Sequence, residues 1–416
     1  MGDDPKRLLD TLWRMDSPRL VARVARMTGD LGSAEELVQD MLVQALQRWP
    51  VDGVPSNPAA WLMTAARHRA IDHLRQRARH GERGREYAAS LDEATGGPDV
   101  NADDDIGDDL LRLMFVACHP VLPVESRIVL TLRLLGGLTV EEIARAFLTR
   151  EATVSQRIVR AKQKLREAHV PFEAPRREEL GERLDAVLQV IYLVFNEGYA
   201  ATAGDDLVRP ALCEDAMRLG RVLAGLVPHE AEVHGLVALM ELQASRLRAR
   251  TDAAGAAVLL ADQDRTRWDR TLILHGLAAL DRALARGGAD APYTLQAAIA
   301  ACHARATTAA STDWPRIAAL YARLHAVTGS PVVELNRAVA ESMAFGPAPA
   351  LARVDRLAAD GALEDYAMLP AVRGDLLDRL GRREEARDAF ERAASLSRNA
   401  RERQVLLDRA ARCTAA

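Results

Sequence analysis

Hydrophobic residues recur every three or four positions along most of this 416-residue chain, and no segment alternates apolar and polar residues as a half-buried β-strand does. Aromatic residues make up only 4% of the sequence, which is low for a β-rich protein. Ala, Leu and Arg, which fill most segments, are good helix formers. We therefore predict an all-α protein, and the length is enough for roughly two or three domains.

Composition excludes several classes of protein. The net charge of −4 is too small and of the wrong sign for a chain that coats nucleic acid along its whole length. The acidic N-terminus lacks the apolar stretch of a signal peptide, and no apolar run reaches the roughly 18 residues of a membrane span. The four cysteines show neither a CxxC motif nor metal-ligand spacing: Cys118, Cys213, Cys302 and Cys413. We therefore expect a cytoplasmic protein without disulfides, bound metal or cofactor.

The distribution of charge and the positions of helix-breaking Gly and Pro residues divide the chain into four segments. Residues 5–85 read as a helical domain, residues 86–109 as an acidic linker, residues 110–172 as a second helical domain and residues 176–416 as a helical extension. The linker assignment depends on residues 90–109, which hold eight acidic residues, no Lys or Arg, and a Gly-Gly-Pro break.

The first domain contains an acidic helix followed by a basic one. Residues 33–36 have the sequence of a capping box for a helix through Trp49, and residues 50–58 read as a loop. Asn57 and Pro58 then resemble an N-cap and the first helical position of a helix that ends near Arg79. Its residues 61–80 hold five arginines and one acid, a pattern that also fits a solvated helix face.

The second domain contains the pattern of a helix-turn-helix. A capping box at residues 139–142 starts a short helix, and a tight turn leads to a helix from near Arg150 to about Ala168. One face of this second helix is apolar: Val154, Ile158, Ala161 and Leu165. The opposite face is polar: Thr153, Gln156, Arg160 and Gln163. Residues 149–166 carry six bases and one acid, which favours insertion into a DNA groove over an ordinary amphipathic surface helix.

The order of these motifs resembles the extracytoplasmic-function (ECF) sigma factors of the sigma-70 family. Residues 33–49 resemble the helix that binds the clamp helices of the polymerase β′ subunit, and residues 57–79 resemble the segment that melts and reads the −10 element. Residues 153–162 resemble the core that reads the −35 element. The resemblance covers residues 8–170 and implies a sigma2 domain, a sigma4 domain, and binding to promoter DNA and to the β′ clamp and β flap of core RNA polymerase.

The resemblance also implies three sets of contact residues. The set that binds core polymerase is Glu36, Gln39, Asp40 and Gln44. The −10 set is Asn57, Arg67, His68, Arg69, Asp72, Arg75 and Arg77. The −35 set is Arg150, Thr153, Ser155, Gln156, Arg157, Val159, Arg160, Lys162 and Lys164. The family commonly has Asn where this chain has His68 and Ser where it has Gln156, so its base preferences do not carry over.

The extension is predicted to be a chain of amphipathic helices. Residues 191–199 resemble the start of the extension in one ECF group with a tetratricopeptide (TPR)-like C-terminal domain. The TPR spacing of small and aromatic residues is met by Gly374, Gly381, Ala386, Phe390 and Ala393. Residues 191–199 could hold a polar site formed by Asn196, Glu197 and Tyr199. The interpretation as an apolar helix that ends at a glycine cap is favoured.

Three functions are compatible with these patterns, and the first is favoured. A sigma factor would have no catalytic residues of its own, and its extension would regulate it in cis or bind a protein or small-molecule regulator. A helix-turn-helix regulator with a TPR-like sensor would act without replacing a sigma factor, but it would leave the first 80 residues without a role. An enzyme in the extension has no support beyond the polar residues at positions 196, 197 and 199.

Overall fold

The computed structural model describes residues 5–79, 102–147, 149–175, 178–200, 208–252, 257–361, 363–397 and 399–414. Throughout these ranges the regular structure is helical, apart from isolated β-bridge residues such as the pair Thr251 and Ala257, which confirms the predicted all-α class. The chain forms two compact units, residues 1–191 (unit 1) and residues 192–416 (unit 2). The predicted start of the extension at residue 176 therefore lies inside unit 1.

Unit 1 is built from eight helices in the described part of the chain, the last of which continues into unit 2. In chain order they are α1 (Pro5–Thr28), α2 (Leu31–Asp52), α3 (Pro58–Arg79), α4 (Ala102–Ala117), α5 (Val124–Leu134), α6 (Val140–Ala146), α7 (Glu151–Glu167) and α8 (Leu180–Tyr199). Helices α1, α2 and α3 pack on one another, and α7 packs on α5 and α6.

Helix α2 begins and ends at residues other than those predicted. Its N-cap is Asp30, whose carboxylate accepts a hydrogen bond from the Ser33 backbone N–H at 2.7 Å, so the predicted capping box at residues 33–36 is wrong. The helix also continues through Pro50 to Asp52 and ends at Gly53, whose φ of 85° favours glycine. The loop before α3 is therefore shorter than predicted.

Helix α4 occupies part of the predicted acidic linker. It starts at Ala102, and its Asp109 is fully buried against Arg23, Arg26 and Arg112. Burial raises the pKa of Asp109 more than these three arginines lower it. The linker prediction is thus wrong for residues 102–109, because charge density alone does not reveal a buried partner, and the predicted residues 86–101 lie outside the described ranges.

Unit 2 consists of helices packed mainly on their neighbours in sequence. They are α9 (Pro210–Leu226), α10 (Ala231–Ala244), α11 (Arg270–Ala285), α12 (Pro292–Arg305), α13 (Trp314–Thr328), α14 (Pro331–Phe345), α15 (Pro347–Ala359), α16 (Met368–Arg379), α17 (Arg383–Leu396) and α18 (Ala400–Thr414). Successive pairs such as α14 with α15 and α16 with α17 are in contact.

The predicted small and aromatic positions near the C-terminus pack together. Gly374 on α16 lies against the Phe390 ring on α17, where a Cβ atom would come within 2.8 Å of the ring. Gly381 has a φ of 77° in the turn between the two helices, and Ala386 and Ala393 are fully buried. The helix pair that the spacing predicted is present.

Among the described residues, no helix combines the length and the apolar character that a membrane crossing requires.

Candidate nucleic-acid interface

Helix α7 separates its apolar and polar residues as the sequence predicted. Its four apolar positions are buried: Val154, Ile158, Ala161 and Leu165. The preceding helix α6 carries the predicted capping box, in which the Thr139 hydroxyl accepts from the Glu142 N–H and the Glu142 carboxylate accepts from the Thr139 N–H. The buried face fixes α7 on α5 and α6, so its opposite face is presented to solvent.

The solvent face of α7 carries most of the predicted −35 residues. The exposed members are Arg150, Ser155, Gln156, Val159, Arg160 and Lys164, whereas Thr153, Arg157 and Lys162 are half-buried. Val159 is 63% exposed among these polar groups. Amide and guanidinium groups can read base edges, and an exposed apolar side chain can contact a thymine methyl group. This face therefore has the chemistry of a major-groove reader.

Helix α3 places its basic residues along a half-exposed face. Leu62, Ala66 and Ala70 form its buried stripe. Of the predicted −10 residues, Asn57, His68, Asp72 and Arg75 are exposed, and Arg67 and Arg69 are half-buried. The side chain of Arg77 lies outside the described side chains. Asn57 caps α3 as predicted: its side-chain Oδ1 accepts a hydrogen bond from the Ala60 backbone N–H at 3.1 Å.

Helices α2 and α3 face each other across a cleft of about 520 Å³. Three predicted polymerase-binding residues, Glu36, Asp40 and Gln44, line it together with the predicted −10 residues Arg69 and Asp72. The structure thus brings members of the two sets together. Gln39, the fourth member, is half-buried and donates to the Glu35 carboxylate at 3.0 Å.

The sequence analysis missed two exposed apolar residues on α2. Val43 is 51% exposed and Leu46 is 43% exposed. They follow the acidic residues Glu36 and Asp40 along the helix, so the outer surface of α2 is both acidic and apolar. Such a surface suits a protein partner, since interfaces bury apolar side chains within a polar rim.

Two carboxylates at the start of α2 hold bases of α7. Glu35 is 5% exposed and forms ion pairs with Lys162 of α7 and with Arg133 of α5, the latter at 2.9 Å. Arg166 of α7 makes two hydrogen bonds to Asp30, of 3.0 and 3.2 Å. Lys162, a predicted phosphate contact, is therefore paired with a carboxylate within unit 1.

These contacts shift the pKa values of both acids. Burial raises the pKa of Glu35, but the charges and hydrogen bonds of Lys162 and Arg133 outweigh it, so the net shift is downward. Burial likewise opposes ionisation of Asp30, yet hydrogen bonds from Arg166 and Ser33 hold its pKa at about 2. Both groups are therefore ionised at neutral pH and attract α7.

No group of histidine, cysteine or acidic side chains suited to a metal ion occurs among the residues that the structure describes. Three cysteines are buried, and burial raises the pKa of Cys118 to about 11 and that of Cys213 to about 12. Those two thiols are protonated at neutral pH, which argues against thiolate chemistry there.

Comparisons with known proteins agree with this geometry. Residues 12–80 match the family model for sigma-70 region 2, and residues 112–165 match the model for sigma-70 region 4. The ECF RNA polymerase sigma factor SigL of Mycobacterium tuberculosis is 34% identical over 142 residues, which cover 34% of this chain and 77% of SigL. SigK of Mycobacterium ulcerans is 33% identical over 142 residues, covering 34% of this chain and 74% of SigK.

This chain belongs to the ECF sigma factors of the sigma-70 family. Region 2 of this sigma factor contains α2 and α3, and region 4 contains the helix-turn-helix of α6 and α7. The match confirms the predicted family and the function of an RNA polymerase sigma factor, a transcription initiation factor that binds core polymerase and promoter DNA.

The C-terminal extension of the sigma factor matches a different family model. Residues 183–284 match a family of unknown function, DUF6596. The uncharacterized protein R00370 of Rhizobium meliloti is 46% identical over 397 residues, which cover 92% of this chain and 91% of that protein. The extension is therefore shared with that relative. No solved structure gives a significant match.

Proposed function

We propose that this cytoplasmic sigma factor reads the −35 element with the exposed face of α7 and the −10 element with α3. The observation that carries the proposal is the division of α7 into a buried apolar face and an exposed face bearing Gln156, Val159 and Arg160. Gln and Arg side chains supply the hydrogen bonds of base readout, while Lys164 and Arg157 supply charge for phosphates.

We further propose that the outer surface of α2 binds the β′ clamp of core polymerase, with region 4 against the β flap. Its exposed Glu36 and Asp40 supply negative charge, and its exposed Val43 and Leu46 supply apolar area. A surface of this composition favours a basic partner with an apolar centre.

Reconstitution with core RNA polymerase tests both proposals. The purified full-length chain is mixed with core enzyme, and co-elution and promoter-specific transcripts are measured. We expect both, and we expect the double substitution Val43→Asp with Leu46→Asp to abolish co-elution while leaving the far-UV circular dichroism unchanged. Binding to duplex DNA without any association with core polymerase would contradict the proposal and favour a conventional helix-turn-helix regulator.

The ion pairs of Glu35 and Asp30 support a closed arrangement of region 4 on region 2. In this arrangement Lys162 and Arg166 are neutralised by carboxylates of α2. Lys162 can contact a promoter phosphate only after it leaves Glu35. We therefore infer that binding of core polymerase and promoter DNA must separate α7 from α2.

We propose that the extension regulates this sigma factor in cis or through a bound regulator. Support comes from its size, since unit 2 contains more than half of the chain and has its own hydrophobic core. The test compares promoter-specific transcription by the full-length chain and by residues 1–191. Equal transcript levels and equal binding partners would contradict a regulatory role.

A further inference from the structure

Tyr199, at the end of α8, belongs to a cationic and aromatic cluster in unit 2. Tyr199 is 9% exposed and stacks on Phe195, with 5.7 Å between ring centroids. Its hydroxyl accepts a hydrogen bond of 2.5 Å from Arg246. The guanidinium carbon of Arg250 lies only 3.9 Å from the centre of the Tyr199 ring. Two cations, one turn apart in sequence, thus share one aromatic ring.

A third arginine lies beside this pair. The Trp268 ring, which is 3% exposed, has the guanidinium carbon of Arg246 at 5.7 Å from its centroid and that of Arg265 at 4.9 Å. Arg265 is held by the backbone carbonyls of His303 and Ala306, each at 2.7 Å. Arg265 therefore has a structural role as a fixed charge.

Arg246 and Arg250 differ from Arg265 in the hydrogen-bond acceptors that their guanidinium groups meet. Arg246 donates to the Tyr199 hydroxyl, and the Nε atom of Arg250 is buried without a hydrogen-bond partner in the part of the chain that the structure describes. Nearby, the Nε1 atom of Trp268 and the Nδ1 atom of His303 are also buried and unpartnered. Buried donors are rarely left unpaired, and buried charges are normally compensated.

The arginine charges of this cluster act on His303 and on one another. Burial, reinforced by the charges of Arg246 and Arg265, lowers the pKa of His303 to about 4, so this imidazole is neutral at pH 7. Burial and then the charge of Arg246 lower the pKa of Arg265. An anion near Arg246 and Arg250 would remove this repulsion between like charges.

Groups from distant helices of unit 2 feel the charges of the two arginines. Burial raises the pKa of Tyr321 on α13 to about 12, and the charge of Arg246 opposes this shift. Burial also raises the pKa of Glu402 on α18, and the charge of Arg250 opposes that shift. Tyr192 of α8 packs edge-on against Tyr293, with 5.3 Å between ring centroids. As whole residues, Arg246, Arg250, Tyr192 and Tyr321 are half-buried.

We propose that Arg246 and Arg250 bind the oxyanion of a small ligand, a carboxylate or a phosphate, whose planar or apolar part lies against the tyrosines. Guanidinium groups bind both oxyanions through paired N–H donors. Tyr199 and Trp268 hold the arginines in place, and Arg265 adds a fixed positive charge. This proposal concerns unit 2 alone and does not depend on the promoter-reading residues.

Calorimetric titration of the full-length chain tests the site. Inorganic phosphate and benzoate are titrated separately at constant ionic strength, which distinguishes a phosphate site from an aryl-carboxylate site. We expect saturable binding of one of them at a single site. Arg246→Lys keeps the charge but loses the paired donors, so we expect affinity to fall about tenfold. Arg250→Gln is expected to abolish binding.

Arg248→Gln is the matched control, because Arg248 is exposed and lies between the two arginines in sequence. It is expected to leave the affinity unchanged. Far-UV circular dichroism verifies that each variant is folded, and Arg250→Lys replaces Arg250→Gln if the latter does not fold. The absence of saturable binding for both anions, or equal affinities in wild type and the Arg250 variant, would overturn the proposal and leave the cluster with a packing role only.

Discussion

Asp30 shows how one residue can cap one helix and hold another. Its carboxylate accepts from the Ser33 N–H at the start of α2 and from the Arg166 guanidinium on α7. Ser33, which the sequence suggested as the cap, is instead the donor. The position of Arg166 gives Asp30 its second role.

The first prediction concerns acid sensitivity at Asp30. The folded-state pKa of about 2 lies below the ordinary value of 3.8, so this group stabilises the fold above about pH 4, and that contribution is lost as the pH falls toward 2. Asp30→Asn keeps a capping side chain but removes the charge. We expect it to lower the free energy of unfolding at pH 7 by about 1 kcal/mol, a figure reduced for solvent screening.

Urea denaturation at several pH values measures this effect. The difference between wild type and Asp30→Asn should shrink between pH 4 and pH 2. A difference that stays constant over this range would show that the substitution acts by weakening the capping hydrogen bond and not by removing the charge. Glu173→Gln, at an exposed carboxylate, serves as the control.

The second prediction separates base readout from phosphate contact on α7. Arg160→Ala should cost about 1–3 kcal/mol in promoter binding and should relax the base preference at one −35 position. Lys164→Ala should weaken binding to all sequences alike and reduce its salt dependence by about one charge. Fluorescence anisotropy with holoenzyme and −35 variants at several salt concentrations measures both. Identical behaviour of the two variants would contradict the assignment.

At the scale of elements, the ion pairs between α7 and the start of α2 are the feature with the clearest consequence for DNA binding. Glu35 is buried between Arg133 of α5 and Lys162 of α7. It therefore links region 2 to two helices of region 4. An ion pair of this kind costs more to break by removing one partner than it contributes as a pair, because the remaining charge stays buried.

The third prediction is that Glu35→Gln opens this arrangement. The loss of the carboxylate should lower the free energy of unfolding by about 2 kcal/mol, since Lys162 and Arg133 lose their buried counter-ion. It should also strengthen binding of the chain to a −35 duplex about fivefold, equivalent to about 1 kcal/mol, because Lys162 no longer has to leave a partner. Chemical denaturation and anisotropy measure the two effects. Weaker duplex binding in a folded Glu35→Gln protein would contradict the closed arrangement.

At the scale of the whole molecule, the boundary between the two units falls inside α8 and not in the proline-rich segment near Pro175. The first part of α8 belongs to unit 1. Arg183 donates to the Phe115 carbonyl at 2.8 Å, and Val187 and Val190 are almost fully buried. A proline-rich stretch is a good indicator of a loop, but it does not reveal which unit the next helix packs on.

The fourth prediction follows from this boundary. A fragment of residues 1–191 should melt at a temperature at least about 5 °C above that of a fragment of residues 1–175, because the shorter one loses the buried side chains of α8. Differential scanning calorimetry of both fragments measures this. Equal melting temperatures would mean that α8 contributes nothing to unit 1.

Local patterns were enough to predict the helical class, the capping box of α6, the buried face of α7 and the family, because these depend on residue spacing and short-range hydrogen bonds. Which cations meet a carboxylate could be read only from the packing of the helices. Lys162 and Arg157 look alike in the sequence, yet only Lys162 meets a buried carboxylate from a helix more than a hundred positions away. Likewise Tyr199, Arg246 and Trp268 are far apart in the chain, and only the folding of unit 2 brings them together. Long-range electrostatic and aromatic contacts depend on how helices pack, which helical periodicity does not specify.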